Sequence, residues 1–225
     1  MYKCCIFDLD GTLVNSIYAI QRSVNETIKI WNMREISVEE SKLYVGDGYK
    51  KLLERALTAR GDEKLAHYDE AVKRYQDVFK KCCMYRVEAY DGIKELLEFL
   101  KAHDIRIAVL SNKPHPRTLD NVEGVFGKGY FDLVCGERED QGIRKKPCPD
   151  GVWAILDELD VPREEVLYFG DTNTDMKTGK NAQVDTVGVT WGFRTREELE
   201  EFRPAFIADH PSQAIEYIKD VNGIE

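Results

Sequence analysis

The stretch that decides the fold stands near the start: Lys3-Cys4-Cys5-Ile6-Phe7-Asp8-Leu9-Asp10-Gly11-Thr12-Leu13. A short apolar run of strand length stops at two carboxylates two residues apart, followed by a glycine. In a strand, residues i and i+2 project the same way, so Asp8 and Asp10 can aim at one point just beyond the strand end. Like charges that close repel unless a cation or a shared proton lies between them. An Asp-Gly turn after a buried strand accounts for the same letters, because Asp and Gly are the commonest turn residues. Alone, the stretch leaves these readings even. A metal partner, a phosphate cradle and a matching fold elsewhere in the chain would decide between them.

Working outward, Ile17, Ile20, Val24, Ile28 and Trp31 recur at helical spacing over residues 16–30, and helical patterns follow over 37–44, 49–60 and 64–83. A glycine-flanked turn, Val45-Gly46-Asp47-Gly48-Tyr49, separates two of them. No strand is expected between residues 14 and 86. From residue 91 strands and helices alternate. Strands are predicted at 105–110, 131–135, 166–169, 184–189 and 205–208. Helices are predicted around Ile93–Leu100 and at 114–125, 149–159, 173–182, 196–202 and 212–219. Strict alternation points to a parallel sheet with right-handed crossovers. Val166-Leu167-Tyr168-Phe169 is apolar throughout, as in a strand covered on both faces. The first strand belongs to the same sheet, so the helical residues interrupt it. The expected architecture is α/β, a Rossmann-like three-layer core with an inserted α-helical unit. The core would comprise residues 1–15 and 88–225, and the insertion 16–87.

Composition bounds the rest. The chain has 225 residues, 43% of them hydrophobic and 32% charged, enough for a sizeable core and a solvated surface. A formal net charge of −9 argues against an extended nucleic-acid surface, so any anionic substrate needs locally placed cations. No apolar run approaches the ~20 residues of a membrane span, and the N-terminus lacks a signal-peptide pattern. Cys4-Cys5, Cys82-Cys83, Cys135 and Cys148 form no CxxC pair, and read as reduced thiols of a cytoplasmic protein.

In open parallel sheets, ligands bind beyond the carboxyl ends of the strands, where strand order reverses. Asp8 and Asp10 follow the first strand. Ser111, Asn112 and Lys113 follow 105–110, and Gly170, Asp171, Thr172, Asn173, Thr174 and Asp175 follow 166–169. Four clustered carboxylates need a cation to remain ionised, and carboxylate oxygens are ligands that Mg²⁺ prefers. Singly, Asp171 suits a helix N-cap and Asp175 suits a first helical turn. Together, opposite Asp8 and Asp10, they favour a metal site. Arg144-Lys145-Lys146 reads as solvated surface, except that Pro147 and Pro149 stiffen the chain after Lys146. A rigidly placed ammonium there can hold a phosphate as a point charge.

With these motifs in order, the chain resembles the haloacid dehalogenase-like hydrolase superfamily. Asp8-Leu9-Asp10-Gly11-Thr12-Leu13, Ser111-Asn112-Lys113, Lys146-Pro147 and Gly170-Asp171 with Asp175 match its four motifs, and the insertion is similar to its helical cap. The similarity is greatest to phosphoglycolate phosphatase-like members. It extends over Val45–Gly48, Leu52–Leu57, Asp175–Ala182 and Trp191–Arg194. The resemblance implies a Mg²⁺-dependent phosphatase acting on a small-molecule phosphomonoester, phosphoglycolate-like or a sugar phosphate, through an aspartyl-phosphate. Asp8 would be the nucleophile. Asp10 would protonate the leaving oxygen and then activate water. Mg²⁺ would be held by Asp8, the Asp10 carbonyl and Asp171, with Asp175 supporting. Ser111, Asn112 and Lys146 would bind the phosphoryl group, with backbone N–H groups near Leu9, Gly11 and Asn112 as further donors. Dehalogenases of this fold lack the second acid, because a halide needs no proton.

Two departures from the family pattern stand out. Asn15 replaces an Asp, which puts a hinge contact in doubt. Gln183 replaces a Gly, at a cost of about 1 kcal/mol if the backbone there is left-handed. The Gly46-Asp47-Gly48-Tyr49-Lys50 turn is expected over the site, with Asp47 accepting from substrate hydroxyls and Lys50 meeting a carboxylate. A solvated helix start accounts for those residues equally well. Tyr75, Phe79 and Tyr85 read as packing within the insertion, and the four histidines receive no role. The chain is expected to be a monomer or homodimer. A β-phosphoglucomutase-like mutase and a non-catalytic phosphate-binding module are the rival readings.

Overall fold

The structure is a computed structural model that describes residues 1–225. Strand β1 (Cys4–Phe7) leads into a two-residue strand β2 (Val14–Asn15) and four helices: α1 (Ile17–Ile28), α2 (Val38–Tyr44), α3 (Tyr49–Ala59) and α4 (Tyr68–Cys82). β3 (Glu88–Ala89) returns the chain to an alternating series. That series is α5 (Ile93–Ala102), β4 (Arg106–Pro114), α6 (His115–Phe126), β5 (Leu133–Glu137), α7 (Asp150–Leu159), β6 (Val166–Gly170) and α8 (Asn173–Ala182). It ends with β7 (Asp185–Val189), α9 (Arg196–Glu200), β8 (Phe206–Ala208) and α10 (Pro211–Asn222).

Six strands form one parallel sheet in the order β5-β4-β1-β6-β7-β8. The order reverses around β1, so the ends of β1, β4 and β6 share one crevice. Alternation along β1 builds the three layers. Cys5 and Phe7 face the cluster that includes Leu96 and Leu100 of α5 and Ile218 of α10. Cys4 and Ile6 face Val152 and Ile155 of α7 and Ala182 of α8. Both faces are covered, which is why β1 and β6 are fully buried.

The four helices after β2 enclose a separate apolar cluster, including Ile20, Val24, Leu53, Leu57, Tyr75 and Phe79. Truncating one of its fully buried leucines to Ala would cost ~2–5 kcal/mol. Ser37 caps α2 reciprocally with Glu40, which fixes where that helix starts. His67 stacks on Trp31 at 4.7 Å between centroids, a packing role. No helix is long and apolar enough to cross a membrane.

Several boundaries differ from the sequence reading. β4 runs to Pro114 rather than residue 110, because the polar Ser111-Asn112-Lys113 continue a strand whose register shifts between Leu110 and Pro114. β5 begins at Leu133, two residues late, since Phe131 packs into the core ahead of the strand. α4 begins at Tyr68 rather than 64, because the Asp62 carboxylate takes the N–H groups of Ala66 and His67 in a preceding turn. The pair β2–β3 was not foreseen. Val14 meets Ala89 and Asn15 meets Glu88 in an antiparallel ribbon too short for any periodicity to reveal.

Candidate active site

β1 ends at Phe7, so Asp8 leaves the sheet at its carboxyl edge, held by its N–H to the Phe169 carbonyl at 2.9 Å. The chain then curls tightly. The Leu9 carbonyl accepts from Leu13 and Val14, each at 3.0 Å, and the Gly11 N–H donates to the Val14 carbonyl at 3.0 Å. Gly11 has φ +91°, and a Cβ there would lie 2.3 Å from the Asp171 carboxylate, so glycine is required for conformation and for space. Gly192 makes a matching close approach, where a Cβ would lie 2.4 Å from Asp171.

The two carboxylates of the first motif line one cavity but are held by different partners. Asp8 is buried, with Lys146 Nζ 2.8 Å from its Oδ1. Asp10 turns aside, and its Oδ1 accepts from Lys113 Nζ at 2.6 Å and from the Ser16 hydroxyl. Both acids face the cavity, as their spacing suggests, but the strand ends at Phe7 and only Asp8 joins the acidic trio.

Asp8, Asp171 and Asp175 form a buried trio whose carboxylate oxygens lie within 4.8 Å of one another. The Asp10 carboxylate stands outside it. Asp171 accepts from the Thr12 hydroxyl at 3.0 Å and the Phe193 N–H at 2.8 Å. It is not the helix cap: Thr172 caps α8, with Asp175 completing the capping box. Asp175 also accepts from the Tyr168 hydroxyl at 3.1 Å and from Lys146 at 2.7 Å. Burial pushes the Asp8 carboxyl up to about 7, with Lys146 opposing and Asp175 adding to the rise. Burial and the charges of Asp175 and Asp8 push Asp171 well above the carboxylate range. Lys146 is held protonated despite burial, since Asp175 and Asp8 outweigh desolvation. One ammonium therefore serves two of three buried acids and Asp171 has no cation beside it. A set of hard carboxylate oxygens in that state suits Mg²⁺.

Asn112 sets the position of Lys146. Its amide oxygen accepts the Lys146 N–H at 2.9 Å, and its amide nitrogen donates to the carbonyls of Lys146 at 3.0 Å and Gly46 at 3.2 Å. Ser111 is buried and lines the same cavity as Asp8 and Lys146. That cavity, about 60 Å³, lies between the strand ends and the helical block.

Other expectations are redirected. The Gly11 N–H is already bonded within its loop, so it is not free for a phosphate; Leu9, whose side chain is buried in the core, can serve only through its backbone. Gly46 does line the cavity. Asp47 does not: Arg55 at 2.5 Å and the Thr174 hydroxyl at 2.8 Å take its carboxylate. Lys50 is exposed and borders a neighbouring crevice with Lys145, Glu137 and Glu139. Tyr75 and Phe79 pack within the helical block as expected, yet they also line the cavity.

Lys113 was missed. It is buried and bonded to Asp10 and to the Asn121 amide oxygen. Its signal was available, because it lies two residues beyond Ser111 and so on the same side of the extended chain. Phe193, which lines the cavity and whose N–H holds Asp171, lies within the similar stretch Trp191–Arg194 but was given no role.

Residues 5–189 match the family described as haloacid dehalogenase-like hydrolase. A phosphoglycolate phosphatase from Colwellia psychrerythraea is 31% identical over 210 residues, covering 91% of each chain. The pyrophosphatase PpaX of Listeria monocytogenes is 28% identical over 217 residues, covering 96% of this chain and 95% of the relative. The crystal structure of CbbY from Rhodobacter sphaeroides in complex with phosphate superposes with a TM-score of 0.78 at 25% identity. It covers 95% of this chain and 96% of the other.

Proposed function

This chain belongs to the haloacid dehalogenase-like hydrolase family, and from that membership we propose that it is a Mg²⁺-dependent phosphatase of small phosphomonoesters working through an aspartyl-phosphate. One observation carries the reading. Asp8 lies buried between a fixed ammonium and two further acids, while Asp10, two residues on, is held apart by Lys113 and Ser16. The two acids thus have separate surroundings and can take separate tasks.

In the first step an Asp8 oxygen attacks phosphorus and the bond from phosphorus to the leaving oxygen breaks. Asp10 gives that oxygen its proton. In the second step Asp10 takes a proton from water, the water oxygen attacks phosphorus, and the Asp8 carboxylate is released with phosphate. Lys146 and Ser111 hold the phosphoryl oxygens. Asp8, Asp171 and Asp175, with the Asp10 carbonyl, are the residues that would hold Mg²⁺. When bound, Mg²⁺ offsets the charge repulsion between carboxylate and phosphate. The helical block, residues 16–87, acts as a cap that excludes bulk water.

Replacing Asp8 by Asn should abolish hydrolysis of every phosphoester while leaving the thermal unfolding transition in place. Turnover within tenfold of wild type would remove Asp8 as nucleophile. Chelation by EDTA should stop hydrolysis and added Mg²⁺ should restore it; hydrolysis that continues in EDTA would exclude the metal requirement.

A further inference from the structure

Opposite Asp8 and Asp10 the cavity is closed by the helical block, and that wall is largely apolar, with the Tyr49 and Tyr75 hydroxyls and the Gly46 and Gly48 backbone as its polar groups. Ile20 of α1, Val45 of the turn, Leu52 of α3, and Tyr75 and Phe79 of α4 line it. Tyr49, Tyr75 and Phe79 form a continuous stack, with centroids 5.7 and 5.2 Å apart and ring planes within 8° and 13° of parallel. This is the side on which a leaving group must lie when the phosphoryl group sits between Asp8, Ser111 and Lys146.

No uncompensated cation faces that side. Two lysines line the cavity, and each already has its carboxylate: Lys113, whose Nζ stands 5.3 Å from the Phe79 ring centroid, has Asp10 at 2.6 Å, and Lys146 has Asp8 at 2.8 Å and Asp175 at 2.7 Å. Arg55 is drawn to Asp47 and to the Tyr44 carbonyl at 2.7 Å. Arg194 donates to the carbonyls of Lys42, Leu43 and Val45. Lys50 and Lys145 lie in the adjoining crevice with Glu137 and Glu139 beside them. A second anion on the substrate would exchange water for hydrocarbon and aromatic faces with no free cation to pair with, only neutral donors such as the Tyr49 and Tyr75 hydroxyls, which is disfavoured. A neutral apolar or aromatic group would bury surface there at no such cost.

Resting on the phosphatase reading above, we propose that the leaving group is uncharged, with an apolar or aromatic body lying against Tyr75, Phe79 and Leu52. Neutral alkyl and aryl phosphomonoesters are then taken in preference to phosphoglycolate, bisphosphates and pyrophosphate. The chain differs in this from the activities in the names of its relatives, which it matches at 28–31% identity.

Matched pairs test it. Values of kcat/KM are measured with Mg²⁺ for 2-hydroxyethyl phosphate against 2-phosphoglycolate, and for phenyl phosphate against 4-carboxyphenyl phosphate. The neutral member of each pair should be at least tenfold better; an anionic member that equals or exceeds it overturns the proposal. Leu52→Arg places a cation in the wall and should raise phosphoglycolate relative to 2-hydroxyethyl phosphate at least tenfold. An unchanged ratio would mean that the leaving group does not lie there. A binding arm separates this proposal from the phosphatase reading. Calorimetry on the Asp8→Asn protein with Mg²⁺ should show phenylphosphonate binding at least tenfold more tightly than phosphonoacetate. That result supports the neutral wall even if no phosphoester is hydrolysed, in which case only the phosphatase reading falls. Tighter binding of phosphonoacetate overturns the wall whatever the turnover.

Discussion

Asp10 is held by two side chains that lie on opposite sides of the helical insertion in the chain. Ser16 approaches from the start of α1 and Lys113 from the end of β4. Lys113 also bonds the Asn121 amide oxygen, and the Asn121 amide nitrogen donates to the Cys83 carbonyl at 2.7 Å, where the chain leaves α4. The acid is therefore tied to both ends of the insertion. Lys113→Met should leave Asp10 without its ammonium and free to rotate. The expected loss in kcat is roughly ten- to hundredfold, below the full 10²–10⁴ that general acid–base catalysis supplies. KM should change less, and the defect should shrink with 4-nitrophenyl phosphate, whose leaving group needs no proton. An equal defect on alkyl and nitrophenyl esters would show that Lys113 does not act through Asp10.

At the scale of elements, α8 shows how one helix can be well started and poorly stopped. Thr172 and Asp175 cap its N-terminus reciprocally, and Asp175 serves the acidic trio with the same carboxylate. At the other end Gln183 has φ +60° and ψ +44°, the left-handed conformation that the missing glycine foretold. Its side chain is exposed and accepts only from Arg163. Gln183→Gly should stabilise the protein by about 0.5–1 kcal/mol in chemical denaturation, with kcat unchanged. A loss of stability would mean that the Arg163 contact outweighs the backbone strain. The doubt raised over Asn15 also has a structural counterpart. Its Oδ1 is buried on β2 with no hydrogen-bond partner, at the hinge between sheet and helices.

At the scale of the whole molecule, the helical block is fastened to the sheet by polar contacts. Arg194 reaches carbonyls at the end of α2, Asn112 reaches the Gly46 carbonyl, and Asp47 reaches Thr174. Burial works against the charge on Asp47, but the hydrogen bonds from Arg55 and Thr174 prevail and hold its carboxyl below the usual carboxylate range. A depressed folded value stabilises the native state above the ordinary carboxylate pKa of about 3.9, and that contribution disappears as pH falls through the folded value. The difference in Tm between wild type and Asp47→Asn should thus stay constant from pH 8 to 5 and close only below about pH 4. A difference that closes between pH 7 and 5 would assign the contact to another group.

The chain order of motifs was enough to specify the alternating α/β sheet, because buried parallel strands and amphipathic helices write their periods directly into the sequence. The same order marked Asp8, Ser111, Asp171 and Asp175 as residues following strands, and Lys146 was marked by the prolines after it. What sequence could not fix was direction. Two carboxylates two residues apart line one cavity yet take different partners, Lys146 for Asp8 and Lys113 with Ser16 for Asp10. Asp47 and Lys50, placed over the site by their turn, are claimed by Arg55 and Thr174 or left in solvent. Lys113 and Phe193 enter the site from other strand ends of the sheet, and the aromatic wall only because the insertion folds back over it. Periodicity records which face a residue presents to its own element. Which partner that face meets is set by the packing of elements far apart in the chain, and only the tertiary structure decides it.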